Sequence, residues 1–120
     1  MTHNINIGKT GETIAKQYLN KKGYQILQQN FYCHWGEIDI IAKKDNTITF
    51  FEVKTRIGES KGKPYDSVNA AKLTKLHRAI QYFLLQNNYK NYKLSLDVIS
   101  ILLNEDLSIK KIVHYENVYA

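Results

Sequence analysis

The run from Gly36 to Arg56 constrains the fold of this chain more than any other part of the sequence. Two segments rich in Ile, Val, Phe and Thr flank the polar residues Asp45 and Asn46. Branched and aromatic side chains favour strands, and a short polar Asp-Asn pair between two such segments favours a tight turn. The run therefore predicts a β-hairpin.

The charges within this hairpin point to a site. Side chains alternate between the two faces of a strand, and symmetric pairing about the predicted turn puts Asp39 opposite Glu52 and Glu37 opposite Lys54. Like charges directly opposite each other destabilise a sheet, so two facing carboxylates in an apolar hairpin predict a bound divalent cation. For Glu37 alone, the alternative is a position on the solvated face of a half-covered sheet.

The remaining sequence predicts two helices and three further strands around the hairpin. The first helix has an apolar stripe and is closed by Gly23, and the second has its N-cap at Asn69 with a hydrophobic staple from Val68 to Leu73. Leu73, Leu76, Ile80, Phe83 and Leu84 form the predicted buried stripe of the second helix. The predicted elements are a helix over 7–22, a strand over 24–32, the hairpin, a helix over 70–86, and strands over 92–103 and 109–115. This order predicts an α/β fold with helices on a central mixed sheet.

Length and composition predict a single soluble domain over residues 1–120. The chain has an ordinary apolar fraction of 43% and a charged fraction of 23%. The beginning of the sequence is polar, and the longest apolar run, 98–103, is far shorter than a membrane span. A single cysteine, Cys33, excludes an internal disulfide framework and is typical of a reducing cytosol. We therefore expect a cytoplasmic protein that does not enter a membrane.

An excess of basic residues predicts a polyanionic partner. The net charge is +6 with a pI near 9.3, and much of the positive charge follows the hairpin. Nucleic acid is the simplest partner for such a surface, although a basic helix face is as often merely solvated. The candidate phosphate-binding residues are Arg56, Lys61, Lys63, Lys72, Lys75 and Arg78.

One acid of the first helix, Glu12, has two interpretations. It lies between Gly8 and Gly11 on one side and the apolar stripe on the other. The small glycine side chains would let this end of the helix approach the sheet closely. Glu12 is then either a first-turn acid favoured by the helix dipole or a residue that leans toward the carboxylate pair.

The order of these motifs resembles the PD-(D/E)xK nuclease superfamily, and more closely the YraN-like family of small bacterial proteins. The resemblance covers nearly the whole chain, with Ile38 in place of the proline of the superfamily motif. It rests on Gly11-Glu12 and Tyr18-Leu19, on Gly23-Tyr24 and Asn30, on 36–42, on 52–56, and on Lys72 and Leu96-Asp97-Val98.

The resemblance implies a restriction-endonuclease-like core with a metal centre. By position, Asp39 and Glu52 would bind Mg²⁺ or Mn²⁺, and Lys54 would be the catalytic lysine. Glu12 would match the first-helix acid of Holliday-junction-resolvase-like members. Since Mg²⁺ is bound by one or two carboxylates with waters and other oxygens, the carbonyl of Val53 is a further candidate ligand.

The sequence leaves three functional hypotheses. The first is a metal-dependent phosphodiesterase that hydrolyses DNA, including branched or single-stranded DNA. The second is a nucleic-acid-binding module that holds such DNA without cutting it, and the third is a subunit of a larger repair or recombination assembly. The choice between DNA and RNA, and between a monomer and a homodimer, stays open.

Overall fold

The computed structural model describes residues 6–58 and 70–118. Within these residues the chain forms helices on both faces of a sheet, in the predicted order of helix, three strands, helix and two strands. The elements are α1 (Ile7–Lys21), β1 (Gln25–Cys33), β2 (Gly36–Lys44), β3 (Thr47–Ile57), α2 (Ala70–Gln86), β4 (Lys93–Leu103) and β5 (Ile109–Tyr115).

The strands form one five-stranded mixed sheet in the order β1-β2-β3-β4-β5. β1, β2 and β3 form an antiparallel meander, β3 and β4 are parallel, and β5 returns antiparallel to β4. A parallel pair cannot be joined by a tight turn, and α2 lies in the crossover between β3 and β4. The predicted α/β fold with a mixed central sheet is confirmed.

Two hydrophobic clusters hold the helices to the sheet, one on each face. The cluster on the α1 face contains Ala15 and Leu19 of α1 with Ile40, Phe51 and Ile99 of the strands. The cluster on the α2 face combines side chains from the strands and α2, namely Phe31, Ile38, Ile41, Ile48, Phe50, Leu76, Ala79, Ile80, Phe83 and Leu96. The three layers are therefore α1, the sheet and α2.

The ends of α1 are fixed by local hydrogen bonds. The Asn6 side chain caps the N-terminus by accepting a hydrogen bond from the Lys9 amide at 3.0 Å. At the other end Gly23 has a φ of +92°, and the Tyr24 amide donates back to the Leu19 carbonyl at 3.0 Å. The left-handed φ suits glycine, so the predicted closure of this helix at Gly23 is confirmed.

The hairpin turn and its register agree with the sequence prediction. Lys44 pairs with Thr47, and Ile40 pairs with Phe51 at the far end of the paired stretch. Asp45 has a φ of 53°, the left-handed conformation that tight two-residue hairpin turns need. The turn therefore lies at Asp45–Asn46 as predicted.

The helix α2 has the predicted bounds and most of the predicted buried stripe. Leu76, Ile80 and Phe83 are buried, whereas Leu73 and Leu84 are partly buried at the edges. The predicted cap at Asn69 and staple from Val68 lie outside the described residues. Neither α1 nor α2 is long and apolar enough to cross a membrane.

Candidate functional site

Three carboxylates from α1 and β2 meet at one place on the sheet. Glu12, Glu37 and Asp39 each offer an oxygen, and these oxygens all lie within 4.8 Å of one another. Glu12 and Asp39 are half-buried and Glu37 is exposed. We call these three residues the acidic cluster. It concentrates negative charge in a chain whose net charge is +6.

Close packing of α1 on β3 brings Glu12 into the acidic cluster. Gly11 is buried, and a Cβ added to it would overlap the Thr55 side chain of β3. The predicted role of a small residue here is confirmed at Gly11, whereas Gly8 has more room and meets only the Asn6 side-chain oxygen at 3.4 Å. Because Glu12 is the next residue, this contact fixes its height above the sheet.

An asparagine on β1 links two members of the acidic cluster. With its amide oriented to satisfy both neighbours, Asn30 donates to Glu12 Oε1 at 2.8 Å and to Glu37 Oε1 at 3.0 Å. Asn30 has a φ of 51°, a left-handed conformation that asparagine tolerates better than most residues. One neutral donor group therefore holds two carboxylates together.

The predicted cross-strand pair of Asp39 and Glu52 is not formed. The pairing of β2 with β3 stops at Ile40 and Phe51, the residues next to them. Beyond that point the Val53 amide donates to Asp39 Oδ2 at 2.8 Å. The two strands separate because a side-chain oxygen takes this backbone donor.

The alternation of β2 side chains between the two faces of the sheet is interrupted at the same place. Ile38 packs in the cluster under α2, while Ile40, two residues further on, packs in the cluster under α1. Strict alternation would put both on one face, so it is interrupted at Asp39. Irregularities of this kind re-aim a side chain. Asp39 lines a cleft with Glu12 on the α1 face.

The environment of Asp39 favours its protonated form. Burial raises the pKa of Asp39 from 3.8 to about 7, and the charges of Glu12, Glu37 and Glu52 add to this rise. The hydrogen bond from the Val53 amide lowers the pKa but does not outweigh burial. Burial and the charge of Glu37 also raise the pKa of Glu12. Both carboxyls therefore lack enough positive charge around them, and a divalent cation would supply it.

Glu52 lies on the α2 face of the same strand pair. Glu52 is 8% exposed, and its Oε1 lies 3.8 Å from the ammonium nitrogen of Lys72. Its other oxygen, Oε2, is buried and has no hydrogen-bond partner among the residues that the structure describes. Glu52 lines a cavity of about 190 Å³ together with Trp35, Lys72 and Lys75. A buried carboxylate oxygen without a partner is costly and calls for a ligand or water.

Lys54 and Val53 lie next to these acids on β3. Lys54 is half-buried and alternates with Glu52 and Phe50, which places it on the α2 side of the strand. The predicted pairing of Lys54 with Glu37 is not formed, because β2 and β3 have already separated. Val53 contacts Asp39 through its amide.

Four of the six predicted phosphate contacts lie within the described residues, three on α2 and one on β3. Lys72 and Lys75 of α2 line the Glu52 cavity, and the Arg78 guanidinium lies 4.5 Å from the centre of the Trp35 ring. Arg56 is half-buried near the end of β3. The other two predicted phosphate contacts, Lys61 and Lys63, lie outside the described residues. The structure thus brings two lysines to the same cavity as Glu52.

The donor set suits a hard divalent cation. Mg²⁺ and Mn²⁺ prefer oxygen ligands, and Mg²⁺ is held by few carboxylates with several waters. Glu12, Glu37 and Asp39 offer such oxygens within reach of a single ion. Glu52 lies on the other side of β3 and is outside this group. The raised pKa of Asp39 fits a site that gains from a cation.

A second group of titratable residues lies between β4 and β5. Asp97 is 2% exposed and accepts hydrogen bonds from Ser95 Oγ, from the Asn117 amide at 2.9 Å and from His114 Nε2 at 2.7 Å. Burial raises the pKa of Asp97, but these hydrogen bonds outweigh it and leave that pKa below its usual value. The contacts join β4 to the segment after β5, so the group is a structural link.

Comparison with known proteins places this chain. The model of the uncharacterised protein family UPF0102 matches residues 11–101. This chain belongs to the UPF0102 family. A UPF0102 protein from Caldanaerobacter subterraneus is 43% identical over 114 residues, covering 94% of this chain and 93% of that protein. A relative from Clostridium acetobutylicum is 40% identical over 119 residues and covers 98% of each chain.

The membership confirms the predicted YraN-like resemblance at the level of the family. Within this UPF0102 protein, two members of the site were not predicted. Glu37 was expected to face Lys54 or solvent, and Asn30 had no predicted role. The spacing of Glu37 two residues before Asp39 was a usable signal. The link from Asn30 to Glu12 is a contact between β1 and α1, which no local pattern predicts.

Proposed function

We propose that this UPF0102 protein is a metal-dependent phosphodiesterase that hydrolyses DNA. The observation that carries the proposal is the acidic cluster, with the raised pKa of Asp39, lying across β3 from the partnerless oxygen of Glu52. Carboxylates packed this closely, with raised pKa values, are typical of sites that bind a cation. The resemblance to the PD-(D/E)xK superfamily agrees with this assignment.

In this proposal Asp39 and Glu12 hold Mg²⁺ or Mn²⁺, with Glu37 as a further oxygen donor. The bound cation would polarise a phosphoryl oxygen and lower the pKa of a water. The amide of Val53 keeps Asp39 in place through its hydrogen bond. Glu52 lies on the α2 side of β3, and its charge helps to raise the pKa of Asp39.

Lysines would provide the positive charge for the scissile phosphate. Lys54 follows Glu52 on the same face of β3, where its ammonium can stabilise the charge that develops in the transition state. Lys72 and Lys75 line the adjacent cavity and would bind the phosphate backbone. Arg56 is a further proposed phosphate contact, as are Lys61 and Lys63, which lie outside the described residues.

A nucleic-acid-binding module without cleavage is the second candidate. One observation favours it: Glu52 lies near Lys72 and apart from the acidic cluster. In this arrangement the two expected metal-binding carboxylates, Asp39 and Glu52, do not share one group of ligands. A protein that binds DNA through its basic side chains alone would need no such group.

Cleavage assays combined with melting curves separate the two candidates. Labelled linear duplex, single-stranded and branched DNA, and RNA of the same sequence, are incubated with the protein in Mg²⁺, Mn²⁺ or EDTA. We expect cleavage only with a cation, and loss of cleavage in Asp39→Asn and Lys54→Ala. The control is Glu105→Gln, an exposed acid in the turn after β4.

Melting temperatures assign the role of each residue. A cation that binds only the folded protein raises the melting temperature by mass action. We expect this rise in the wild type, in Lys54→Ala and in Glu105→Gln, and its absence in Asp39→Asn. DNA binding without cleavage, together with no cation-dependent rise in the wild type, would reject the nuclease in favour of the binding module.

A further inference from the structure

Tyr32 is an exposed aromatic residue at the edge of the acidic cluster. It lies on the edge strand β1, pairs across to Glu37 of β2, and is 70% exposed. A single exposed aromatic ring is normal on a protein surface, but this ring lies next to the acidic cluster. Its register fixes it beside the site, because directly paired side chains lie on the same face.

Two further observations connect Tyr32 to the acidic cluster. The charge of Glu37, together with a hydrogen bond to Glu37, raises the pKa of the Tyr32 hydroxyl. Tyr32 also lines an open cleft of about 340 Å³ with Lys9, Glu12 and Glu37. The Tyr32 side chain therefore lies beside Glu37 on the wall of this cleft.

The ring faces of Tyr32 are available, unlike those of the nearby tryptophan. Arg78 lies 4.5 Å from the centre of the Trp35 ring, and His34 contacts the same ring edge-on at 4.9 Å. Among the residues that the structure describes, Tyr32 has no aromatic or cation–π partner. Tyr32 is therefore the open aromatic surface of this cleft.

We propose that Tyr32 stacks on an unpaired base of a nucleic acid strand whose phosphate lies at the acidic cluster. Bases inside a duplex stack on each other and offer no free face, whereas an unpaired base does. The substrate class is therefore single-stranded nucleic acid or an unpaired end. This inference rests on the proposed phosphodiesterase, since it uses the same cleft.

Binding measurements in Ca²⁺, which takes oxygen ligands as Mg²⁺ does and would hold the phosphate at the acidic cluster, test the ring separately from hydrolysis, with the oligonucleotide checked to be intact after each titration. A fluorescently labelled single-stranded oligonucleotide and its duplex are titrated with wild type, Tyr32→Ala, Tyr32→Phe and Tyr82→Ala. Tyr82 is a matched control because it is 41% exposed on α2, where it packs against Phe31. Melting curves of all variants verify that they fold.

We expect Tyr32→Ala to weaken single-strand binding about tenfold, the usual size of one base–aromatic stack, and to leave duplex binding within about twofold. Tyr32→Phe keeps the ring and should bind like the wild type, as should Tyr82→Ala. Equal losses for single strand and duplex, or no loss in Tyr32→Ala, would overturn the inference. A loss in Tyr32→Phe as large as in Tyr32→Ala would assign the effect to the hydroxyl and overturn it too.

The outcome also separates this inference from the proposed function. Cation-dependent cleavage with the same strand preference in wild type and Tyr32→Ala would overturn the stacking role alone. A selective single-strand loss in Tyr32→Ala, in a protein without cleavage and without a cation-dependent melting shift, would support the stacking role while rejecting the phosphodiesterase.

Discussion

Replacement of Asp39 by asparagine tests the electrostatic argument directly. The pKa of Asp39 rises from 3.8 to about 7 on folding, with burial as the largest cause. One pKa unit corresponds to about 1.4 kcal/mol, so ionised Asp39 costs the metal-free folded state at most about 4 kcal/mol. Asp39→Asn removes this charge and still offers an oxygen to the Val53 amide.

The sign of the pH dependence follows from the direction of this shift. Between 3.8 and about 7 the unfolded chain has already released the proton that folded Asp39 still holds. The contribution of Asp39 to stability is therefore full below this window, falls as pH rises through it, and stays low above it. Asp39→Asn should remove this fall.

We expect Asp39→Asn to raise the unfolding free energy by about 1–3 kcal/mol at about pH 8, which is roughly 3 °C or more in melting temperature. The gain should fall to less than half at about pH 5, because folded Asp39 is then protonated while the unfolded chain is still largely ionised. The assay is urea and thermal unfolding in EDTA at both pH values.

A matched aspartate provides the control for this experiment. The Ser108 side chain and amide donate hydrogen bonds to Asp106 and lower its pKa. Asp106→Asn should therefore give no gain at the higher pH. The reasoning fails if Asp39→Asn melts below the wild type in EDTA at about pH 8, or if its gain is the same at both pH values.

Three further predictions test how the site is built. Gly11→Ala should destabilise the fold by about 1–3 kcal/mol because the added methyl overlaps Thr55, whereas Gly8→Ala should be neutral or stabilising by up to about 1 kcal/mol. Urea unfolding measures both variants, and equal effects would contradict the close approach of α1 to β3. Glu12→Gln should weaken the cation-dependent melting shift while leaving the melting temperature in EDTA at or above that of wild type; a lower melting temperature with an intact shift would make Glu12 structural. Lys75→Gln should reduce the salt slope of DNA binding by about one unit on every sequence, and an unchanged slope would make Lys75 only a solvated side chain.

Local patterns in the sequence were sufficient for the elements of this fold. The bounds of α2 and β5 were predicted as the structure has them, because apolar periodicity and turn residues are local signals. The hairpin register followed from the Asp45–Asn46 turn and is correct along its paired stretch. These properties depend on neighbours in the sequence, so the sequence alone determined them.

The tertiary structure decided where the acids point. Asp39 and Glu52 are symmetric about the turn, yet Asp39 accepts a hydrogen bond from Val53 and lines the α1 side, while Glu52 is buried on the α2 side near Lys72. Strict alternation of strand side chains could not predict this, because the interruption depends on a side chain capturing a backbone amide from the neighbouring strand.

The membership of the acidic cluster was likewise a tertiary property. The sequence identified Glu12 as a candidate, but it joins Glu37 only because Gly11 lets α1 approach β3 and Asn30 bridges the two acids. These contacts link residues of four elements, α1, β1, β2 and β3. Residue types and their spacing thus determined which acids were available, and the packing of α1 on the sheet determined which of them meet.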